Sequence, residues 1–143
     1  MITWLSDLRK WGQIVAQFLK PDGLFFIAEI HPFSLMFRDD TEPFEVAYDY
    51  FHSPEGIEIP PSSDYADASF VSTHAEYYWA WSLEDIFSAL RNAGLKVKDF
   101  KEYPFTVYKQ FPSMKKQADG FWHPPKDVPR VPLLFSFKAT TTA

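Results

Sequence analysis

Glu29 and His31 stand at the end of an apolar run, Leu24-Phe25-Phe26-Ile27-Ala28, with Pro32 following at once. An imidazole near a carboxylate can accept or hold a proton close to neutral pH. His31 therefore reads as a general base or a substrate-positioning donor, with Glu29 tuning it. The plainer alternative is that His31-Pro32 shapes the exit from a strand and Glu29 caps a backbone group. His74, Glu76, Tyr77, Tyr78, Trp79 and Trp81 form the densest aromatic cluster. Rings enclose apolar and cationic ligands, so His74, Glu76, Tyr77 and Trp79 are candidates for binding a substrate, against the alternative that they only pack the segment down. Glu102 and Tyr103 end another extended run, and Tyr103 joins the candidate binding residues.

Other chemistries lack their residues. His31, His52, His74 and His123 make no short metal-ligand spacing, there is no Cys, and no G-x-S-x-G elbow occurs. The five glycines stand alone, which excludes a phosphate-cradling loop of the usual kind. A net charge of -5, with no basic run beyond Lys115-Lys116, argues against nucleic acid. No apolar stretch is long enough to span a bilayer. Asp7, Arg9, Lys10 and Gln13 interrupt the first twenty residues and break any signal-peptide core, so the expectation is a soluble cytoplasmic protein without membrane partners. With 143 residues there is room for one domain, 1–143, and one site.

The elements that must position these residues follow from periodicity. Trp4, Leu5, Leu8, Trp11, Ile14, Val15, Phe18 and Leu19 recur at spacings of three and four and predict an amphipathic helix. Lys20-Pro21-Asp22-Gly23 stops it in a tight turn. The unbroken apolar run 24–30 then reads as a strand covered on both faces, which makes an αβ unit of a parallel sheet. Residues 31–81 are rich in proline and aromatics and read as a flap inserted on the scaffold, with strands at 44–51 and 69–79 paired as a hairpin. Ser82, with acids after it, caps a helix that Gly94 closes. Residues 95–103 alternate as a half-exposed strand. Residues 111–132 read as a Pro-rich loop, 131–139 as the last strand, and Thr140-Thr141-Thr142-Ala143 as a frayed tail.

The string Leu19-Lys20-Pro21-Asp22-Gly23-Leu24-Phe25-Phe26-Ile27-Ala28-Glu29 resembles the LKPGG helix-to-strand turn of class I S-adenosylmethionine-dependent methyltransferases, with Asp at the first Gly position. Trp4-Leu5-x-x-Leu8 before it, Glu29-x-His31-Pro32 after it, Ala89-Leu90-x-x-Ala93-Gly94-Leu95 and Pro132-Leu133-Leu134-Phe135-Ser136 fit the same order of elements. The resemblance is to the C-terminal half of a small-molecule methyltransferase and covers nearly the whole chain.

It implies an α/β fold with an incomplete Rossmann-like sheet, in which 24–30, 131–139 and 95–103 stand as family strands 5, 7 and 6, strand 7 antiparallel. The part that would carry the Gly-rich turn for S-adenosylmethionine has no counterpart. The implied function is the substrate-side half of a methyltransferase, inactive or partner-dependent alone, with a small-molecule methyl acceptor. The alternative is a non-enzymatic oligomerisation or ligand-binding module derived from one. Strand 24–30 would have an open ladder edge, expected to be covered by a second copy, by a separate N-terminal half, or by the flap.

Overall fold

The structure, a computed structural model, describes residues 2–41, 44–59 and 69–141. Pro43, Pro60 and Pro61 of the expected flap, and Thr142-Ala143 of the expected tail, lie outside the described residues. The elements are α1 (Leu8–Phe18), β1 (Leu24–Ile30), β2 (Ile57–Ile59), β3 (Glu76–Tyr78), α2 (Leu83–Asn92), β4 (Leu95–Tyr103), β5 (Lys115–Lys116), β6 (Trp122–His123) and β7 (Leu134–Thr141), with 3-10 turns at Ile2–Trp4 and Ser34–Met36.

The Asp7 side chain accepts the Lys10 N–H at 2.9 Å, which starts α1 at Leu8 rather than at Trp4 and leaves the first apolar residues to a separate turn. In α2, Ser82 and Asp85 form a reciprocal capping box, and Gly94 takes a positive φ of 84° to end the helix. Between α1 and β1 the chain reverses through a tight turn in which Gly23 N–H donates to Lys20 O at 2.8 Å. Pro21 and Asp22 occupy its central positions, and Asp22 carries the φ of 58° that the second central position of a type II turn demands.

The main sheet is ordered β1-β7-β4, with β7 antiparallel to both neighbours. Every ladder among the described residues is antiparallel, as expected for a last strand running against both its neighbours, and the parallel neighbour that an αβ unit of a parallel sheet would have is not among these residues. The last strand begins at Leu134 because Leu133 N–H is already spent on Tyr103 O, and it runs on through Thr140 and Thr141, which pair with Leu24, Lys96 and Leu95 instead of fraying. The helices pack against one face of the sheet. Phe135, Phe137 and Ala139 of β7 meet Ile86, Ala89 and Leu90 of α2 and Leu8 of α1 there, and Trp11 stands edge-on to Phe25 at 5.8 Å.

The opposite face is uncovered along β1 from Leu24 to Ala28, and only Ile30 at its end is buried. Leu24 is 60% and Phe26 55% exposed, which corrects the expectation of a strand buried on both sides. An unbroken apolar run was consistent with two covered faces, but both helices of this chain lie on one of them. Among the described residues β1 also has no ladder partner on its outer edge, so the flap does not close it.

In the flap, β3 pairs with β2, not with 44–51. That segment instead wraps around the Ser34–Met36 turn, with Ala47 N–H and Tyr48 N–H both donating to Met36 O and a single bridge from Val46 to Phe37. Two amides on one carbonyl break the even ladder that a strand needs. The 111–132 loop contains the two-residue hairpin of β5 and β6, and Phe111, Met114 and Leu133 form a second small core with Phe37, Phe44 and Trp122.

Candidate functional site

The strand register sets the first distances. Glu29 of β1, Phe135 of β7 and Glu102 of β4 stand side by side on the helix-covered face. A bulge between Val97 and Asp99 places Glu102 there: strict alternation from Leu95 and Val97 would have turned Lys101 and Tyr103 inward, and the extra residue turns Phe100 and Glu102 inward instead. The spacing of three between the apolar residues Val97 and Phe100 is the sequence signal of this shift.

His31 lies just beyond β1, 3% exposed, with its ring edge-on to Phe135. Its Nδ1 is 3.0 Å from the Phe33 backbone N–H, which can only donate, so Nδ1 carries a lone pair. Nε2 then bears the proton and donates to Glu102 Oε1 at 2.9 Å. Burial lowers the His31 pKa below its ordinary value against the opposing pull of Glu102, and the imidazole is held neutral in one tautomer. Behind it, Ser34 Oγ donates to His31 O at 2.9 Å, and Gln110 Nε2 donates to Ser34 O and Oγ at 3.3 and 3.2 Å. This buried chain fixes the loop that leaves β1, and it ends outward on a carboxylate whose side chain is 46% exposed. With both ring nitrogens engaged, His31 acts as a base only if one of those bonds first breaks. As arranged, it holds Glu102, not Glu29, in place.

Glu29 lines a crevice of about 40 Å³ at the same end of β1, with Trp81 and Tyr108 among its other walls. Trp81 is fixed from two sides: its Nε1 donates to Leu5 O at 2.9 Å, and His52 stacks on its ring at 3.8 Å. Burial and, secondarily, Asp39 push the Tyr108 hydroxyl up to about 12, although the residue as a whole keeps 38% of its surface exposed.

The remaining sequence candidates are dispersed. His74, Glu76 and Tyr77 are exposed on the flap, and Tyr77 donates its hydroxyl hydrogen to Glu58 at 3.0 Å. Trp79 packs against Gly56 and donates Nε1–H to Pro54 O, a structural role in pinning the flap. Tyr103 points to the other face of the sheet, where its hydroxyl meets Ser136 Oγ at 3.1 Å. None of these lines the crevice at Glu29. Sequence reasoning placed Glu102 only at a strand end and did not reach Ser34, in a single 3-10 turn, or Tyr108 and Gln110, in an irregular segment, none of which carries a periodicity.

A cofactor of the size of S-adenosylmethionine needs a cleft of several hundred Å³. The crevice at Glu29 is an order smaller, both α-helix N-termini are capped by their own side chains, and the positive-φ glycines Gly56, Gly94 and Gly120 lie at none of them. The described residues do not fit that cofactor. They include no group of three His, Asp or Glu placed to hold a metal, and none of the helices among them is long and apolar enough to cross a membrane.

No protein-family model matches the chain, and no curated protein matches its sequence. A solved structure does: a Listeria monocytogenes protein provisionally described as an S-adenosylmethionine dependent methyltransferase superposes on 100% of this chain with a TM-score of 0.55 and 13% sequence identity. The chain spans 58% of that protein's length. At this identity the likeness is one of fold: the chain has a mixed α/β, methyltransferase-like fold.

Proposed function

We propose that the chain supplies the acceptor side of an S-adenosylmethionine-dependent methyltransferase acting on a small molecule, with β1, β7 and β4 corresponding to family strands 5, 7 and 6. The observation that carries this reading is the conjunction, at the carboxyl end of β1, of the Glu29 crevice with the His31-Glu102 pair, beside a strand edge left open. In open α/β sheets this end of the strands is where ligands bind. Glu102, backed by His31, is the group placed to hold a proton of the acceptor, and Glu29 to orient it. Trp81 and Tyr108 exclude water. Methyl transfer asks mainly for alignment and dryness, which suits a site with no conspicuous nucleophile.

Because the described residues do not fit the cofactor, we place its binding on polypeptide that pairs along the free edge of β1, whether from another chain or from further sequence. Calorimetric titration with S-adenosylmethionine tests this. The chain alone is expected to give no saturable heat, and micromolar binding would overturn the assignment.

A second reading is favoured by the exposed apolar residues of β1 itself, Leu24 at 60% and Phe26 at 55%. It makes the chain a non-enzymatic module that assembles through β1. Methyl incorporation into any acceptor after the edge is completed would exclude it.

A further inference from the structure

Charge is divided unevenly along this chain. Residues 31–81 hold ten of the 19 acidic residues and one cation, Arg38, whereas the rest of the chain holds nine acids and thirteen Lys and Arg. Arg38 is itself paired with Asp40 at 3.0 Å, which leaves the flap strongly negative. On the flap ribbon Glu58 and Glu76 are exposed. Glu58 accepts the Tyr77 hydroxyl hydrogen and keeps its charge, and no ion pair among the described residues joins either glutamate to a cation. Large apolar side chains stand out in the same segment, Phe51 at 76%, Phe70 at 59% and Val71 at 56% exposure.

The uncovered face of the main sheet has the opposite sign. Phe135, Phe137 and Ala139 of β7 point to the helices, so Ser136, Lys138 and Thr140 point away from them. The register sets Lys96 beside Thr140, Asp99 beside Lys138 and Lys101 beside Ser136, with Leu24 and Phe26 of β1 on the other flank of β7. Lys101 and Lys138 share a single carboxylate, Asp99 Oδ2, at 3.9 Å each, and no ion pair among the described residues engages Lys96. Three ammonium groups and one carboxylate thus lie next to two exposed apolar side chains.

One surface is acidic and apolar, the other basic and apolar, and they do not meet within one molecule. The flap is rooted on the helix side of the sheet, where Trp81 joins the main core, the Tyr50 hydroxyl accepts the Leu83 N–H at 3.2 Å, and Trp79 N–H donates to Thr3 O at 2.8 Å. The lysines lie on the other side.

We propose that the lysine-bearing sheet face of one copy of this chain receives the acidic flap of a second copy, head to tail. Exposed ion pairs taken singly contribute little, so covering Leu24 and Phe26 supplies the affinity, and the charges select the partner and its orientation. Because the two surfaces differ, the contact repeats from copy to copy until it closes in a ring or continues as a filament. It occupies the face of β1 and leaves its ladder edge free, so it does not rest on the functional reading above.

Sedimentation velocity of the whole chain from about 10 μM to about 1 mM in low salt is expected to show mass rising with concentration. Raising the salt to about 0.5 M should weaken the association about five-fold or more, because exposed charges are then screened within a few ångströms. Lys96→Glu with Lys138→Glu, and separately Glu58→Lys with Glu76→Lys, should each weaken self-association about ten-fold or more through like-charge repulsion. An equimolar mixture of these two variants should associate again, since the unaltered flap of one meets the unaltered face of the other. If the reversed face does not fold, Lys96→Gln with Lys138→Gln takes its place, with a few-fold weakening expected alone and association restored in the mixture. A single-chain mass over the whole range, an association indifferent to salt, either variant associating like the parent, or a mixture that stays dissociated would overturn the proposal. None of these outcomes bears on methyl transfer.

Discussion

Gly12 sits in α1 where that helix crosses α2, and a Cβ built on it would lie 2.5 Å from Ala89 O and 3.0 Å from Ala89 C. Gly12→Ala therefore sets two effects of opposite sign against each other. Replacing a helix-interior glycine by alanine favours the helix by about 0.8–1.0 kcal/mol. The added methyl must push α1 off a backbone carbonyl, which cannot rotate away as a side chain would, and overpacking of this kind costs about 1–3 kcal/mol. The contact is backbone to backbone and lies beside the Ile86-Ala89-Leu90 face of the main core, so we expect the upper part of that range and a net destabilisation of about 1–2 kcal/mol. For a chain of 143 residues this corresponds to a fall in Tm of roughly 3–8 °C. Urea unfolding followed by the fluorescence of the five tryptophans measures it directly. A variant as stable as the parent, or more stable by the full propensity gain, would show that α1 and α2 do not meet here and that the platform behind β1 is assembled differently.

The histidine makes a prediction about pH. Its native pKa is lowered, while the unfolded chain titrates near the ordinary 6.5, so His31 contributes stability that is complete above that value and is lost as pH falls through the depressed native value. Glu102→Gln removes the attraction that opposes burial, so the His31 midpoint in an NMR titration should fall further; a rise would show that Glu102 is not its partner. Asp22→Val forces a β-branched residue into a φ of 58° and should cost about 1–2 kcal/mol in denaturant unfolding, whereas Asp22→Gly should stay within about 0.5 kcal/mol. Equal effects of the two would deny the left-handed turn. Phe26→Lys on the uncovered face should leave Tm within about 2 °C but lower the mass seen by light scattering at high concentration, if β1 is the surface through which copies meet. An unchanged concentration dependence would direct association elsewhere.

Local signals were legible wherever a backbone rule acts within a few residues. Ser82 and Asp85, Gly94, and the Lys20-Pro21-Asp22-Gly23 reversal needed no tertiary information. Features that depend on what lies across the sheet were not legible. The run from Leu24 to Ile30 does not say whether a second layer exists, and here none covers Leu24, Phe26 or Ala28. The partner of β3 lies at 57–59 because segment 44–51 gives two of its amides to one carbonyl, a choice no periodicity records. Part of the candidate site followed from position alone, since Glu29 and His31 do end at the carboxyl side of β1. The partner of His31 depended on one bulged residue in β4, which exchanges Lys101 and Tyr103 for Phe100 and Glu102 on the inner face. The flap candidates failed to converge because His74, Glu76 and Tyr77 belong to a short two-stranded ribbon with an exposed side.

The open edge of β1 is central to the account, and amide hydrogen exchange tests it most directly. His31 N–H donates to Leu133 O, so by the antiparallel alternation the amides of Phe25, Ile27 and Glu29 point into the β7 ladder, and those of Phe26, Ala28 and Ile30 point to the free edge. In the dilute chain the first set should be protected and the Phe26 and Ala28 amides should exchange at nearly the unprotected rate, slowing only when a partner pairs with the strand. Uniform protection along β1 in the dilute chain would contradict an edge awaiting completion, and with it the division between acceptor side and cofactor side proposed for this fold.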